Sequence, residues 1–136
     1  MTHEKVLGEF FLEEHSSDIF SIEKFPASVR PFYSLPNPED HKYTNSFDIF
    51  LRGQEVLSGS QRIHQYDNLS KSMQHRDPPL DVEGETLRHY SKGFQYGCAP
   101  HGGGCFGLNR VLQFVLGLPD IRLATMFPRD PSRISP

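Results

Sequence analysis

Gly53-Gln-Glu-Val-Leu-Ser-Gly-Ser-Gln-Arg-Ile-His64, read together with Ser46-Phe-Asp-Ile-Phe-Leu51 just before it, decides the fold. Both runs have strand composition, and Arg52-Gly53-Gln54 between them carries turn chemistry, so the pair reads as an antiparallel hairpin. With a two-residue loop, even positions on the first strand share a face with odd positions on the second. Asp48 and Glu55 then lie on one face, close enough to share a divalent cation. Two carboxylates completed by phosphate oxygens and water commonly hold Mg²⁺; on spacing alone, two solvated acids beside a turn are the commoner case. Ser58 and Arg62 share a face with each other, and strict alternation puts that face opposite Glu55. One ligand touching all three needs an irregular strand between 55 and 58, or an approach round the strand end. The planar fork of Arg62 suits a carboxylate, to which it gives two parallel charge-assisted bonds. A structural ion pair is the more common role for an arbitrary arginine.

The second informative stretch is Pro100-His-Gly-Gly-Gly-Cys-Phe-Gly-Leu-Asn-Arg110. Gly102, Gly103, Gly104 and Gly107 strip side chains from a probable strand, so something is expected to pack tightly against it, either a ligand or the core. No strand–turn–helix order surrounds it, so it is not a dinucleotide fingerprint, and without Gly-Lys-Ser/Thr it is not a Walker loop. Arg110 is placed either to lie over an aromatic ring or to reach a phosphate.

Outward from these stretches, residues 6–12 carry a helical apolar stripe, and 18–25 read as a strand ended by Pro26. Arg30-Pro-Phe-Tyr-Ser-Leu-Pro-Asn-Pro is extended or turning. Asp67 is expected to cap a helix over 68–75 that Pro78-Pro79 stops. A second helix is expected over 81–94, with Val82, Leu87, Tyr90 and Phe94 on its apolar face. Residues 111–118 read as a buried helix closed by Gly117 and Pro119. The mixed order of elements implies α+β with an antiparallel sheet.

The 136 residues fit one domain with a modest core. Eleven Gly and eleven Pro predict many loops. A net charge of −3 gives no global pull on nucleic acid, so any RNA contact must use a local patch. No apolar run is long enough to span a membrane, and the first residues are not a signal-peptide start, which makes a cytoplasmic chain the default. Cys98 and Cys105, with only His101 between them, are too few for structural zinc and read as reduced, partly buried thiols.

The two quoted stretches together resemble the C-terminal half of the catalytic domain of class II aminoacyl-tRNA synthetases, and within that family the eukaryotic and archaeal aspartyl type. Gly107-Leu108-Asn109-Arg110 followed by an apolar helix resembles the family's third signature motif, and the hairpin resembles its Asp … Glu-x-Leu-Ser-Gly-x-Gln-Arg-Ile-His pattern. Arg30-Pro-Phe-Tyr33 and Met126-Phe-Pro-Arg-Asp-Pro131 look like further landmarks, so the likeness runs from about residue 5 to the end. The resemblance implies part of the class II antiparallel β-sheet flanked by helices, and ATP-dependent activation of aspartate with transfer to tRNA(Asp). It implies ATP contacts for Glu55, Gly107, Leu108, Asn109 and Arg110, with Arg110 on the adenine and terminal phosphate. It implies Mg²⁺, held through ATP, for Asp48, Glu55 and Ser58, and aspartate contacts for Ser58 and Arg62. Asparaginyl relatives tend to carry Gly-Gly-Ser-Gln-Arg-Glu where this chain has Ser58-Gly-Ser-Gln-Arg-Ile63. Arg62 alone does not separate the two, but its flanks favour aspartate.

Asn109 stands where the family usually has Glu or Asp, and Cys105 where glycine is usual. The first removes a negative charge beside Arg110; the second adds a side chain that narrows the adenine site. Nothing in residues 1–45 resembles the family's first motif, which builds its homodimer, or its second, which supplies the α-phosphate arginine. No anticodon-binding domain is recognisable. The expectation for 1–136 is therefore a single domain that is the C-terminal part of a class II catalytic domain, catalytically incomplete alone. The alternative is a non-catalytic synthetase-like protein that binds a small ligand or a partner.

Overall fold

The computed structural model describes residues 2–132 and 134. Its elements are helix α1 (His3–His15), strands β1 (Ile19–Glu23), β2 (Ser46–Leu51) and β3 (Gln54–Gln61), helices α2 (Tyr66–Gln74) and α3 (Arg88–Gln95), strand β4 (Gly102–Phe106) and helix α4 (Leu108–Val115). Short 3₁₀ turns lie at Ala27–Val29 and Ile121–Ala124. The strands form one four-stranded sheet in the order β1-β2-β3-β4, antiparallel throughout. The expected α+β class and antiparallel sheet are thus present. By its internal contacts the chain divides into two compact units, one of Met1–Ile22, Asp48–Ser58 and Cys105–Pro136, the other of Glu23–Phe47 and Gly59–Gly104.

In the first unit the hairpin turns at Arg52 and Gly53, whose φ values are 51° and 71°. Positive φ at both central residues is the type I′ geometry, whose twist matches the flanking strands. Glycine adopts it freely. Arg52 is held there by its N–H bond to the Asp18 carbonyl (2.8 Å) and by its Nε on the Asp18 carboxylate (2.8 Å). Helix α1 comes so close to this turn that a Cβ on Gly8 would lie 2.9 Å from Gly53 N, and one on Gly53 would lie 2.9 Å from Lys5 Cα. Behind the contact, Phe11 stacks on Phe20 and Phe20 on Phe50, both at 5.1 Å between ring centres.

The second unit has the better-formed core. Leu69 and Met73 of α2 are fully buried with Ile63 and Val82, and Phe32, Tyr33, Leu87 and Phe94 pack on them. Helix α2 begins at Tyr66 after Gln65, with no side-chain cap. The cap expected from Asp67 is therefore absent, and Asp67 instead lies inside the first turn, where a negative charge suits the helix dipole. The helix expected over 81–94 forms only from Arg88. Asp81 accepts the Glu83 N–H at its carboxylate (3.0 Å) and the Gly84 N–H at its carbonyl (3.3 Å), so the segment turns instead.

The strand β3 is not regular. The two-residue turn sets Leu51 opposite Gln54 and hence Phe50 opposite Glu55. Unbroken alternation would then put Gly59 on the face of Asp48, away from Phe47. Instead Gly59 lies under the Phe47 ring, where a Cβ would meet Cζ at 2.7 Å. One extra residue therefore enters β3 between 54 and 59. Pairing with β4 keeps a constant register from Arg62 N–H on the His101 carbonyl to Gly107 N–H on the Val56 carbonyl. The step thus falls at Glu55, a β-bulge beside the turn.

Helix propensity alone makes Gly8→Ala stabilising by about 1 kcal/mol. The approach of α1 to the turn reverses that sign, because overpacking against backbone costs about 1–3 kcal/mol. Urea denaturation should give Gly8→Ala a lower midpoint than the parent chain; a higher one would mean that α1 does not rest on the turn.

Candidate active site

The bulge at Glu55 changes which side chains meet. In the first unit, Glu55, Val56 and Ser58 line one cavity of about 400 Å³ together with Cys105, Gly107, Asn109 and Arg110. Strict alternation forbids 55, 56 and 58 from facing one space, so the irregular strand is what brings Glu55 and Ser58 together. Asp48 is on the same face of the hairpin by register, alternating with Ser46 and Phe50 as the buried positions of β2. It is 5% exposed and does not line the cavity, whereas the Glu55 side chain is 44% exposed. Only Glu55 of the two acids faces open space.

Arg110 projects from the first turn of α4 back onto the bulge. Its Nη1 donates to the Glu55 carbonyl and lies 4.0 Å from the Glu55 carboxylate. At this exposure the ion pair itself contributes little, up to about 1 kcal/mol. Its value is positional, since it holds a guanidinium at the cavity wall. Among the described residues no aromatic ring lies under Arg110; its platform is the bulged backbone. Gly107 precedes α4 and accepts the N–H groups of Arg110 (2.9 Å) and Val111 (3.1 Å) on its carbonyl. Leu108 is exposed.

Asn109 donates its side-chain amide to the Ala124 carbonyl at 3.1 Å, tying α4 to the 121–124 turn. Asp120 opens that turn by accepting the Arg122 N–H (2.8 Å). Hydrogen bonds from the Arg122 side chain, and then from its N–H, hold the Asp120 carboxyl below the usual carboxylate range. A carboxylate at position 109 could not make the donor contact to Ala124, so the asparagine has a structural use of its own. Cys105 lies in the cavity wall, where its side chain takes up room.

The glycine-rich strand departs from expectation. Every residue of β4 is exposed, and a Cβ on Gly103 would meet nothing within 4 Å. A built Cβ on Gly102 would lie 3.3 Å from the Ser60 carbonyl, and one on Gly107 would lie 3.6 Å from Arg110 Cδ. The tight packing expected against these glycines is thus present at Gly102 and absent at Gly103. Both thiols are exposed rather than partly buried, because β4 and the segment before it lie at the sheet edge.

In the second unit, Arg62 lies over the Tyr33 ring, with Cζ 4.2 Å from the ring centre, a cation–π contact that places the fork. Its backbone N–H is held by the His101 carbonyl at 2.9 Å. Burial pushes the Tyr90 phenol up in pKa, while the nearby charge of Arg62 pulls it down. Tyr33 was not legible as the platform for Arg62; it belonged to an Arg-Pro-Phe-Tyr run with no role attached, and only tertiary packing brings the two together.

Among the described residues no group of three or more His, Cys, Asp or Glu side chains could hold a metal ion. The donors present are one open carboxylate, one buried carboxylate and one hydroxyl. They fit a hard cation that brings phosphate oxygens and water with it, and do not form an all-protein cage.

A family model described as tRNA synthetases class II (D, K and N) matches residues 1–131. The chain is 48% identical over 133 residues to the cytoplasmic aspartate–tRNA ligase of Caenorhabditis elegans, covering 98% of this chain and 24% of that protein. To the human cytoplasmic aspartate–tRNA ligase it is 42% identical over 134 residues, covering 98% and 26%. The solved aspartyl-tRNA synthetase of Entamoeba histolytica superposes with a TM-score of 0.88 at 43% identity, over 98% of this chain and 27% of that one. Asparaginyl-tRNA synthetase of Pyrococcus horikoshii, solved with asparaginyl-adenylate, gives a TM-score of 0.81 at 29% identity over 97% of this chain. The chain spans about a quarter of the length of these curated relatives.

Replacing Asn109 by Asp removes the donor to Ala124 and sets a carboxylate against its carbonyl, at a cost of about 1–3 kcal/mol. Tryptic cleavage after Arg122 should then quicken by roughly tenfold or more while cleavage after Arg52 is unchanged. Equal rates at Arg122 in both proteins would show that the amide does not hold the turn.

Proposed function

The chain belongs to the class II tRNA synthetases of the D, K and N group, and on that premise we propose that residues 1–136 form the C-terminal part of the catalytic domain of an aspartate–tRNA ligase. The complete enzyme carrying this segment uses ATP to activate aspartate and passes it to tRNA(Asp). The cytoplasmic placing follows the relatives' names; no described helix is long and apolar enough to cross a membrane. Homodimerisation belongs to the same proposal and rests on the family alone.

The observation that carries the reading is the bulge at Glu55, which supports one nucleotide-facing wall made by Glu55, Ser58 and Arg110. Arg110 is poised for the terminal phosphate, and Gly107, Leu108 and Asn109 form the entry to its helix. Glu55 and Ser58 would be the open donors to Mg²⁺ brought by ATP, with Asp48 behind them, and the ion would supply neutralisation of phosphate charge. Activation is attack of the substrate's α-carboxylate on the α-phosphate as the bond to the β-phosphate breaks and pyrophosphate leaves, and the residues here serve it by binding, orientation and charge complementarity. Arg62 on Tyr33 reads the side chain. A free carboxylate needs a cationic partner, which Arg62 supplies; the choice of aspartate over asparagine rests on the residues that flank Arg62 and on the relatives' names.

In the complete enzyme, Arg62→Leu leaves a substrate carboxylate unpaired at a cost of about 3–5 kcal/mol. Calorimetry should show this loss in aspartate binding with ATP binding little changed. Equal losses for both ligands would make Arg62 a structural residue.

With Glu55→Gln, one open donor is weakened. The Mg²⁺ concentration for half-maximal aspartate-dependent pyrophosphate exchange should rise several-fold, with the aspartate requirement nearly constant. A change confined to aspartate would move Glu55 out of the nucleotide wall.

A further inference from the structure

A second cavity, of about 570 Å³, lies wholly in the second unit between the loop before β2 and helix α2. Its volume is that of a small-molecule site. The apolar part is Leu35, Pro36, Pro38 and Ile63. It is rigid for identifiable reasons. Ile63 belongs to the buried core at 2% exposure. Leu35 donates its N–H to the Gln61 carbonyl and accepts the Asn45 N–H on its own carbonyl, both at 2.9 Å. Asn37, between the two prolines, accepts the N–H groups of Glu39 (2.8 Å) and Asp40 (3.3 Å) on its side chain and donates its N–H to the Tyr43 carbonyl (2.9 Å). The prolines present ring surface and leave no N–H to satisfy.

The opposite wall is one face of α2, where Asn68, Lys71, Ser72 and His75 recur at helical spacing. The other face of the same helix sends Leu69 and Met73 into the core. Among the described residues, the titratable groups that line the cavity are Lys71, His75 and His41 and no carboxylate lines it, in a chain with 17 acidic and 14 basic residues. The nearby Asp40 carboxylate is turned to the Lys42 N–H at 3.0 Å. His75 Nδ1 donates to the Lys71 carbonyl at 2.7 Å, which fixes the plane of the ring. Gln61 and Ile63 line the cavity while Arg62 between them projects to the other face of the strand.

We propose that this cavity is a binding site for a small amphipathic monoanion, an aryl- or alkyl-carboxylate whose apolar body rests on Leu35, Pro36, Pro38 and Ile63 and whose carboxylate meets Lys71. The proposal does not rest on the ligase reading, because none of the residues assigned there lines the cavity.

The test is an NMR titration of the 136-residue chain with 4-phenylbutyrate, beside 4-phenyl-1-butanol and 4-phenylbutylamine as shape-matched controls. For a ligand of this size the dissociation constant should be on the order of 1 mM. The Leu35 and Ile63 methyls and the His41 and His75 rings should shift together and saturate at one concentration. The alcohol should bind about tenfold more weakly, and the amine should leave these signals unmoved. Lys71→Gln should weaken the carboxylate by about tenfold with the alcohol unaffected; Lys71 is exposed, and an otherwise unchanged amide spectrum verifies the fold. Equal binding of acid, alcohol and amine would overturn the proposal. So would indifference to Lys71→Gln, or shifts confined to the exposed Phe106, Met126 and Phe127.

Discussion

The Arg52–Gly53 turn fixes the hairpin register, and the bulge beside it then decides where every polar side chain of β3 points. Type I′ geometry needs both central residues at positive φ, and Asp18 holds the non-glycine one by two bonds at 2.8 Å. Helix α1 lies against the same turn through two glycines that leave no room for a Cβ. Because the turn cannot shift without displacing α1, the extra residue has to be absorbed in the strand. It is absorbed at Glu55, where the backbone carbonyl is taken up by Arg110. One local constraint thus couples the N-terminal helix to the wall of the candidate nucleotide site.

Much of this was legible because the signals are local. Arg-Gly between two alternating runs specifies a hairpin whatever surrounds it, and the apolar spacing of residues 6–12 and 111–118 specifies helices, although the second forms as Leu108–Val115 and has no buried residue where a buried helix is expected. The family motif named Glu55, Ser58, Arg62 and Arg110 together, and alternation alone said that they could not share a strand face. That conflict pointed to an irregular strand, although nothing in Glu55-Val56-Leu57 marks where the extra residue enters, since no Gly or Pro stands there. Position 81–87 misled for a related reason. Val82 and Leu87 fit a helical stripe, but Asp81 competes for the backbone N–H groups of the first turn and wins. Gly8 carried no signal, because its reason lies in another element's backbone.

The two kinds of recognition rest on different foundations. Arg62 is set by a packed aromatic, Tyr33, that itself leans on a core of fully buried Leu69 and Met73. Arg110 is set by an exposed carbonyl contact on a helix with no buried residue. The guanidinium proposed to read a side chain is therefore held more stiffly than the one proposed to meet a mobile, multiply charged phosphate chain. Specificity needs the former, whereas several phosphate geometries can be met by the latter.

The bare glycine-rich strand has a thermodynamic consequence. Glycines lose more backbone freedom on ordering than other residues, and β4 has no buried side chain to offset that loss. Its hold is the ladder to β3, so its free energy of local opening should be small compared with that of the α2 core. A ligand that touches β4 only in its closed form then binds with an apparent affinity scaled down by the fraction closed. Anything that lies along the strand and raises that fraction tightens the ligand without touching it, a cooperativity written into the backbone rather than into any side chain.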